Sequence, residues 1–483
     1  MKPFFLCALA LYAALSSVSV SADETKPNIL FILVDDFGAR DLSGYGSTLY
    51  ETPNMDKLAA SGAKLTQAYV AYPRCVPSRY AIMTGKYPAR VQGLKDSPHV
   101  EPGRDSTFGA AFQAAGYRTF YCGKWHLGDG ESNPDKVGYE TTVAAGAAGA
   151  TRSHFAPYTK SSTEGGRGKE EKDPIVGLDD APKGEYLTDR LTSETIKFIE
   201  NNADQPFCAV LAHYAVHTPI EAKKHLTKRY QSKLDGMPKA AAEFEKESAG
   251  ENSLVQNNAT YAAMIESVDH GVGRLLNTLD RLGIADKTIV ILASDHGGLS
   301  ARGGKREVAT SNRPLRAGKG HLYEGGLRIP LLVRWPGKTK AGTEIAVPVI
   351  TTDLYPTLLD MAGLPLRPQE HLDGVSLTPL LQGGSAPARQ TFYWHNPAPR
   401  PTSTGDLFSS AIRDGDLKLV EFPEEKRIEL YDLKTDVEER TNLASERPED
   451  TQRLLDKLHA WKKEVGASEV SKPKKSKAKA KSE

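Results

Sequence analysis

Five long apolar runs constrain the fold of this 483-residue chain more than any other feature of its sequence. They read NILFILVDD, YRTFYCGKWHLG, PFCAVLAHYAVHTP, KTIVILASDHGG and RIPLLVRWPG, at residues 28–36, 117–128, 206–219, 287–298 and 328–337. Helical patterns lie between them, for example at residues 54–63, 107–116 and 260–283. Near-continuous apolar strands that alternate with helices are typical of a parallel sheet covered on both faces. The pattern predicts an α/β fold with a large, mostly parallel sheet flanked by helices.

A different pattern begins near residue 385. Residues 408–422 and 427–443 resemble short antiparallel strands with an Asp-Gly turn, and residues 447–465 resemble an amphipathic terminal helix. We therefore expect a main α/β domain over residues 23–384 and a smaller C-terminal α+β subdomain over residues 385–468. Residues 141–185 are rich in Gly, Ala, Ser, Lys and Pro, which predicts a long surface insertion.

The two ends of the chain are expected to lie outside these domains. Residues 1–22 combine an early lysine, an apolar stretch and the ending Val20-Ser21-Ala22, which is typical of a cleaved signal peptide. The chain is then periplasmic or secreted. The apolar stretch is short for a membrane span, so we expect no membrane insertion after cleavage, with an uncleaved anchor as the alternative. Residues 469–483 are Lys-rich and predict a disordered tail.

The overall composition excludes several classes of protein. A hydrophobic fraction of 39% and a charged fraction of 25% are those of a globular enzyme rather than a disordered or fibrous chain. The formal net charge is +1, so no global field favours nucleic acid as a partner.

Loss of residues 1–22 leaves three cysteines, an odd number for an exported protein. Cys122 and Cys208 lie in strand-like apolar runs, where buried free thiols are expected, although the sequence leaves a disulfide between them open. Cys75 instead begins the segment CVPSR, in which the proline fits an early helical position. The positive end of a helix dipole favours a thiolate, so Cys75 is a candidate nucleophile.

Four of the five runs end in ionisable residues: Asp35 and Asp36, Lys124 and His126, His217, and Asp295 and His296. Ligands of open parallel sheets bind beyond the carboxyl ends of the strands, so these side chains should share one crevice. The carboxylates suit Ca²⁺ or Mg²⁺, whereas the imidazole of His296 suits Mn²⁺ or Zn²⁺ at least as well. With the cations Arg79, Lys124 and Lys319 nearby, the pattern predicts a site for a sulfate or phosphate ester.

Several of these segments resemble a known enzyme family in order along the chain. CVPSR followed by TGKYPAR is similar to the signature of the type I, formylglycine-dependent sulfatases, which belong to the alkaline-phosphatase-like superfamily, and GKWHLG resembles their second signature. The segments PNILFILVDDFG, HTP, SDHGG, LRAGKGHLYEGGLRIP and LYDLKTDVEERTNL also match, so that the resemblance spans about residues 27–445. The resemblance implies an exported enzyme that hydrolyses sulfate monoesters.

The resemblance further implies that Cys75 is only a precursor. A formylglycine-generating or sulfatase-maturating enzyme would oxidise it to an aldehyde, and one hydroxyl of the hydrated aldehyde would attack sulfur and expel the alcohol. The second hydroxyl would then lose its proton, so that sulfate leaves and the aldehyde re-forms.

Roles for the matching residues follow from the same resemblance. The implied Ca²⁺ ligands, for which Mg²⁺ or Mn²⁺ are alternative ions, are Asp35, Asp36, the modified residue 75, Asp295 and His296. The family's commonest pattern has an amide side chain where His296 stands. Arg79 and Lys124 would stabilise the diol, His126 would take a proton from it, and His217 and Lys319 would bind the sulfate and assist the leaving oxygen.

Substrate specificity is expected from loops around the crevice, at residues 91–103, 151–158 and 392–397, which mix ring-bearing and polar side chains. Candidate substrate-binding residues are Lys124, His217, Lys319, His321, His154 and Arg152. Export favours a sulfated carbohydrate as the substrate. The alternatives are a phosphomonoesterase or phosphonate monoester hydrolase of the same superfamily, and an inactive carbohydrate-binding relative. Phosphatases of that type usually use Ser or Thr, so Cys75 argues against a phosphomonoesterase, and the intact set around Cys75 argues against the inactive relative.

Overall fold

The computed structural model describes residues 26–91, 98–158 and 175–468. Its strands are β1 (Asn28–Val34), β2 (Ala63–Tyr69), β3 (Arg118–Gly123), β4 (Thr141–Val143), β5 (Phe207–Ala212), β6 (Phe244–Glu247), β7 (Gly250–Ser253), β8 (Thr288–Ser294), β9 (Ala301–Arg302), β10 (Arg328–Arg334), β11 (Thr343–Ile345), β12 (Val349–Ile350), β13 (Thr391–Asn396), β14 (Ser409–Asp414), β15 (Leu417–Phe422) and β16 (Arg427–Asp432). Its α-helices are α1 (Pro53–Ala60), α2 (Cys75–Thr84), α3 (Phe108–Ala114), α4 (Leu187–Asn201), α5 (Lys224–Asp235), α6 (Ala259–Arg281), α7 (Glu324–Leu327), α8 (Leu354–Met361), α9 (Thr378–Leu381) and α10 (Pro448–Val465).

The largest sheet has the strand order β11-β2-β10-β8-β1-β5-β3-β4, and β12 also pairs with β2. Its strands run parallel to one another except β10, which is antiparallel to both of its neighbours, β2 and β8. The predicted mostly parallel α/β sheet is therefore confirmed. All five apolar runs are strands of this sheet, whereas β2, β4, β11 and β12 were not expected from the sequence.

The sheet separates two hydrophobic cores, because successive side chains of a strand point to opposite faces. On β1, Ile29, Phe31 and Leu33 pack into one core, and the alternate residues of the same strand pack into the other. The first core is covered by α2, α3, α8 and α10, and the second by α1, α4, α5 and α6. This arrangement also decides the question of a disulfide: Cys208 faces the first core, Cys122 faces the second, and both are free thiols.

The C-terminal region forms an antiparallel sheet of order β13-β14-β15-β16, followed by α10, as predicted. One expectation was wrong: residues 392–397 are largely the strand β13 rather than a specificity loop. Trp394 and Asn396 are both buried there. Trp394 packs in the first core and donates to the Val70 carbonyl at 2.7 Å. A third sheet, β6-β7-β9, is small.

Four predicted segments fall wholly or partly outside the described residues. The predicted signal peptide and the Lys-rich tail lie outside them, as do residues 92–97 of one expected specificity loop and residues 159–174 of the expected insertion. Within the described part of that insertion, Thr141–Val143 adds β4 to the edge of the large sheet. Over the described ranges, no helix combines the length and the apolar character that a membrane span needs.

A buried ion network joins the C-terminal sheet to the large sheet. Lys418 on β15 contacts Glu324 at 2.9 Å and Glu439 at 2.8 Å, and all three side chains are fully buried. The carboxylate of Glu324 also accepts from Tyr69 on β2 at 2.6 Å, while its backbone N–H donates to Glu439 at 2.7 Å. Removing one member of such a network leaves a buried charge without compensation, which is strongly destabilising.

We predict that Glu439 makes the folded chain less stable as the pH rises. Burial, with a contribution from Glu324, raises the pKa of Glu439 from its ordinary value of 4.5 to about 7 despite the ion pair with Lys418. Between these values the folded chain holds a proton that the unfolded chain has released, so the free energy of unfolding falls across that range. Glu439→Gln removes this contribution, and the stability of the variant relative to the wild type should improve from about pH 5 to about pH 7.5.

Urea unfolding at the two pH values measures this difference, with the exposed Glu446→Gln as the control that should show none. A difference between wild type and Glu439→Gln that stays constant with pH would contradict the prediction.

Candidate active site

The carboxyl ends of four neighbouring strands meet at one edge of the large sheet. In the order β8-β1-β5-β3, these strands are followed by Asp295 and His296, by Asp35 and Asp36, by His217, and by Lys124 and His126. Backbone hydrogen bonds extend the pairing just beyond the strands: Asp295 N–H donates to Val34 at 3.1 Å, and Lys124 N–H donates to Ala212 at 2.8 Å. The sheet therefore holds the first polar residue after each of these two strands in place.

Helix α2 brings Cys75 and Arg79 to the same edge. It follows β2, which runs parallel to β1, and Cys75 is its first residue. Arg79 lies four residues later and so projects from the same face of the helix. Its guanidinium is fully buried, where Nε contacts Asp295 Oδ2 at 2.9 Å and Nη1 donates to the Lys124 carbonyl at 2.6 Å.

Four of the expected metal ligands form a compact group of donor atoms. One atom each of Asp35, Asp36, Cys75 and His296 lies within 4.8 Å of the others, and all four residues are buried. His296 Nε2 is 3.1 Å from Asp36 Oδ1 and 3.2 Å from Cys75 Sγ. Its Nδ1 lies 3.0 Å from the Gly297 carbonyl, so Nδ1 donates there and Nε2 is the nitrogen that faces the group.

Asp295 lies at the side of this group. Its Oδ1 is 3.5 Å from His296 Nε2 and accepts from the backbone N–H of Asp36 at 3.1 Å, while its Oδ2 accepts from Arg79. Burial, reinforced by the nearby charge of Asp35, raises the pKa of Asp295 to about 6. Burial alone would lower the pKa of His296, but Asp295, Cys75 and Asp36 together raise it to about 9. The pocket thus concentrates negative charge around a single imidazole.

Asp36 has a strained backbone that the neighbouring elements hold in place. Its φ is 58°, in the left-handed region that residues with a Cβ rarely adopt. The Tyr261 hydroxyl on α6 donates to the Asp36 carbonyl at 3.1 Å and to the buried Asp41 carboxylate at 2.7 Å. Asp41 also accepts from Thr310 at 2.7 Å. Asp41, Tyr261 and Thr310 carry no sequence motif, which is why the sequence did not identify this support.

Fixed cations offset the buried carboxylates. Lys124 forms an ion pair with Asp35, and Lys319 contacts Asp36 at 2.6 Å. Burial raises the pKa of Asp35, but Lys124 and, more weakly, His217 and Arg79 outweigh burial and leave that pKa below its ordinary value. At Cys75 burial likewise raises the pKa of the thiol, and Lys124, Lys319 and His296 together lower it well below the ordinary range. The position of the Cys75 side chain therefore stabilises a negative charge.

A cavity of about 300 Å³ opens directly above Cys75. It is lined by Arg74, Cys75, Val76, Pro77, His126, Gly149, His217, Arg306, Lys319, Arg400 and Thr404. Cys75 is 7% exposed, enough for a small ligand to reach it. A buried cysteine that lines a cationic cavity, beside a compact group of carboxylate and imidazole donor atoms, suits displacement at a tetrahedral oxyanion centre.

Comparisons with known proteins agree with this geometry. A model of the family described as sulfatase matches residues 27–364, about 70% of the chain, and a model described as the C-terminal region of N-sulphoglucosamine sulphohydrolase matches residues 317–465. The chain belongs to the sulfatase family. It is thus an enzyme that hydrolyses sulfate esters, and the resemblance noted in its sequence is confirmed.

Individual relatives cover most of this sulfatase. A sulfatase of Formosa agariphila is 30% identical over 94% of this chain and 93% of its own length. Steryl-sulfatase of Mus musculus is 29% identical over 82% of this chain and 72% of its own length. Among solved structures, Ps i-CgsB in complex with k-i-k-neocarrahexaose has a TM-score of 0.73 and 28% identity, over 91% of this chain and 93% of that one.

Four predicted substrate-binding residues of the sulfatase lie outside the group that lines the cavity. Lys124 is buried in its ion pair with Asp35. His154 is buried, and its Nε2 lies 3.2 Å from the His217 carbonyl, so that it supports the backbone of His217. His321 Nε2 lies 2.9 Å from the Thr404 carbonyl, behind the cavity wall. The side chain of Arg152 is exposed. Conversely, Arg74, Arg306, Arg400 and Thr404 line the cavity of the sulfatase. Arg74 directly precedes the segment CVPSR, whereas the other three lie in segments without a recognisable motif.

His126 lines the cavity and carries an uncharged imidazole. Burial lowers its pKa, so the imidazole is neutral near pH 7, and its Nδ1 has no hydrogen-bond partner among the residues that the structure describes. Its φ of 59° is left-handed. Gly149 packs against the ring so closely that a Cβ at residue 149 would lie 2.2 Å from His126 Cε1.

We predict that Gly149→Ala displaces the His126 ring and lowers kcat/KM for an aryl sulfate by about tenfold to a hundredfold. Gly149 has no left-handed backbone, so the effect is steric, and circular dichroism should show a folded chain. Gly146→Ala is the matched control, because a Cβ there would meet only Val176 at an ordinary 3.6 Å. Equal activity of the two variants would contradict this account of His126.

Proposed function

We propose that this chain is an exported sulfatase that hydrolyses sulfate monoesters of a carbohydrate, through a formylglycine derived from Cys75 and with a bound divalent cation. The observation that carries the proposal is the position of Cys75, which lies at the base of the cavity and within 4.8 Å of three other metal-ligand side chains. A cysteine that served only packing would not need this surrounding charge.

The surroundings of Cys75 fit the proposed modification. A hydrated aldehyde at this position supplies one hydroxyl for attack on sulfur and a second whose deprotonation releases sulfate. The charges of Lys124 and Lys319 that favour a thiolate at Cys75 would equally favour an oxyanion on the modified side chain. Lys124 and Arg79 are held by Asp35 and Asp295, so they would need no reorganisation during the reaction.

The donor set also fits a divalent cation. Asp35, Asp36 and His296, together with the side chain of residue 75 and with Asp295 beside them, would hold the ion. Three buried carboxylates, Asp35, Asp36 and Asp295, are offset by the three cations Lys124, Lys319 and Arg79, so a divalent ion would leave the pocket positive for an anionic ester. The ion would act as a Lewis acid toward a sulfate oxygen. Ca²⁺ is the proposed ion because most of the donors are carboxylate oxygens. Mg²⁺ and Mn²⁺ are the alternatives, since an imidazole nitrogen suits Mn²⁺ at least as well.

Neighbouring side chains would handle protons and bind the ester. Neutral His126 would accept a proton from the hydroxyl at residue 75, and its low pKa favours prompt release of that proton. His217 Nε2 lies 3.9 Å from Asp36 Oδ2 and lines the cavity, as does Lys319. These two side chains would bind the sulfate oxygens and assist the leaving oxygen.

A carbohydrate substrate is supported by one solved relative. Ps i-CgsB, which is 28% identical over 91% of this chain, binds k-i-k-neocarrahexaose. Steryl-sulfatase is a relative of similar sequence identity, so a steryl sulfate is the natural comparison substrate. The proposed export is supported by the composition of residues 1–22. The proposed boundary between the main domain and the C-terminal subdomain, at residues 384 and 385, is supported by the change of sequence pattern there. A screen of sulfated sugars, with a steryl sulfate and an aryl sulfate, would identify the class.

Conversion of Cys75 is the first test of the mechanism. Mass spectrometry of active enzyme from its native host should find part of residue 75 as an aldehyde that reacts with a hydrazide, while Cys122 and Cys208 keep their thiols. Cys75→Ala should lower sulfate release by more than about a thousandfold, because it removes the nucleophile without changing the fold. Active enzyme with only a thiol at residue 75, or near wild-type activity of the variant, would contradict the proposal.

Metal binding can be tested without turnover. After removal of metal by a chelator, added Ca²⁺ should raise Tm, by the equivalent of about 2.7 kcal/mol at a hundredfold excess over Kd. Asp36→Asn should lower both the bound metal per chain and this stabilisation, whereas the exposed Asp129→Asn should change neither. Parallel titrations with Mg²⁺ and Mn²⁺ identify the preferred ion. Metal content that does not respond to Asp36→Asn would rule out the proposed ligand set.

A further inference from the structure

The mouth of the cavity carries two arginines that the proposed reaction does not use. Arg306 and Arg400 line the cavity together with Lys319, His126 and His217, and no aspartate or glutamate is part of the described lining. Lys319 forms an ion pair with Asp36, and the lining residue Arg74 forms an ion pair with Asp406. Capture and hydrolysis of one sulfate would already occupy the groups near Cys75.

The two arginines are held on loops that brace each other. Gly303 N–H donates to the Ser403 carbonyl at 3.2 Å, and a Cβ at residue 303 would lie 2.0 Å from the Pro401 carbonyl oxygen. The Arg400 carbonyl accepts from the N–H groups of Ser403 and Thr404, both at 2.9 Å. The loop of residues 303–306 follows β9 of the small sheet, and residues 397–406 follow β13. Both arginines are therefore presented by fixed backbone rather than by free chain ends.

The charge of Arg306 has only a neutral partner in the described structure. Its Nη1 donates to the Ser403 hydroxyl, and among the described residues it forms no ion pair with a carboxylate. A guanidinium beside a solvent-filled cavity binds a carboxylate or sulfate through a charge-assisted, often bidentate, hydrogen bond. The arrangement at this mouth is suited to an anion that arrives with the substrate.

We propose that Arg306 and Arg400 form a second anion subsite, which makes the enzyme selective for esters that carry another acidic group close to the scissile sulfate. The acidic group is a carboxylate or a second sulfate, since both present the oxygen pair that a guanidinium recognises. A cavity of about 300 Å³ has room for the scissile sulfate and little more than one sugar, so the second anion belongs to that sugar or to its immediate neighbour. This inference rests on the proposed function and names its substrate class as polyanionic.

Matched aryl sulfates test the subsite without knowledge of the natural sugar. The set is a carbamoylphenyl sulfate, which has a neutral ring substituent, the corresponding carboxyphenyl sulfate, and a benzene bis-sulfate. The wild type should show a kcat/KM about tenfold or more higher for each bis-anionic ester than for the neutral analogue. Arg306→Gln and Arg400→Gln should each reduce this ratio by about tenfold. Differences between the leaving groups cancel when the ratios of wild type and variant are compared.

Two further variants separate a subsite from a general effect of charge. Arg306→Lys should recover only part of the ratio, because an ammonium lacks the bidentate fork. Lys305→Gln removes the same charge from the neighbouring exposed residue outside the cavity and should leave the ratio unchanged. A preference for the carboxylate ester over the bis-sulfate, or the reverse, identifies which acidic group the subsite takes.

The outcomes distinguish this inference from the proposed function. A wild-type ratio near one, or a ratio that neither Arg306→Gln nor Arg400→Gln changes, would overturn the subsite while hydrolysis of the esters still supported the sulfatase mechanism. If enzyme with converted Cys75 hydrolysed none of the esters, the proposed mechanism would fail instead. Calorimetric titration with the same three esters would then decide the subsite, and equal affinities for all three would overturn it.

Discussion

The burial of three carboxylates at one edge of a parallel sheet is the constraint on which the site depends. Asp35, Asp36 and Asp295 are inaccessible to water, and charges in such surroundings need close partners. Lys124, Lys319 and Arg79 provide these partners from three separate parts of the chain. Lys124 and Lys319 also act on residue 75, so two of the groups that make burial tolerable also favour an anion there. Stability and chemistry are therefore coupled in one cluster.

Much of this arrangement could be predicted from the sequence, because it depends on strand ends. A buried parallel strand is a continuous apolar run, and the residue that ends the run must lie at the edge of the sheet where ligands bind. This reasoning brought together Asp35, Lys124, His217 and Asp295 without any knowledge of strand order. Cys75 could be added because its motif marks a helix start. The roles of these residues remain proposals, although their convergence is a structural fact.

Features that depend on contacts between distant segments could not be predicted. Gly149 matters only because a ring packs against it, and Arg306 matters only because two loops brace each other. His321 follows Lys319 closely in sequence, yet its ring turns toward the Thr404 carbonyl. Residues 392–397 are aromatic and polar, as a binding loop would be, but the same composition suits a strand whose alternate side chains are buried. Local sequence does not specify which of these environments a segment meets.

The reversed direction of β10 has a consequence for how such enzymes can be recombined. β10 is antiparallel to its neighbours, so the residues before it lie at the edge of the sheet where the parallel strands end. Lys319 reaches Asp36 from there. The same short segment continues into Glu324, which is tied to Lys418 in the C-terminal sheet. The family model of the C-terminal region accordingly starts at residue 317 and overlaps the sulfatase model, which ends at residue 364. A chimaera of two relatives would keep an intact pocket only if the crossover fell before residue 317, so that Lys319 is inherited together with the C-terminal sheet.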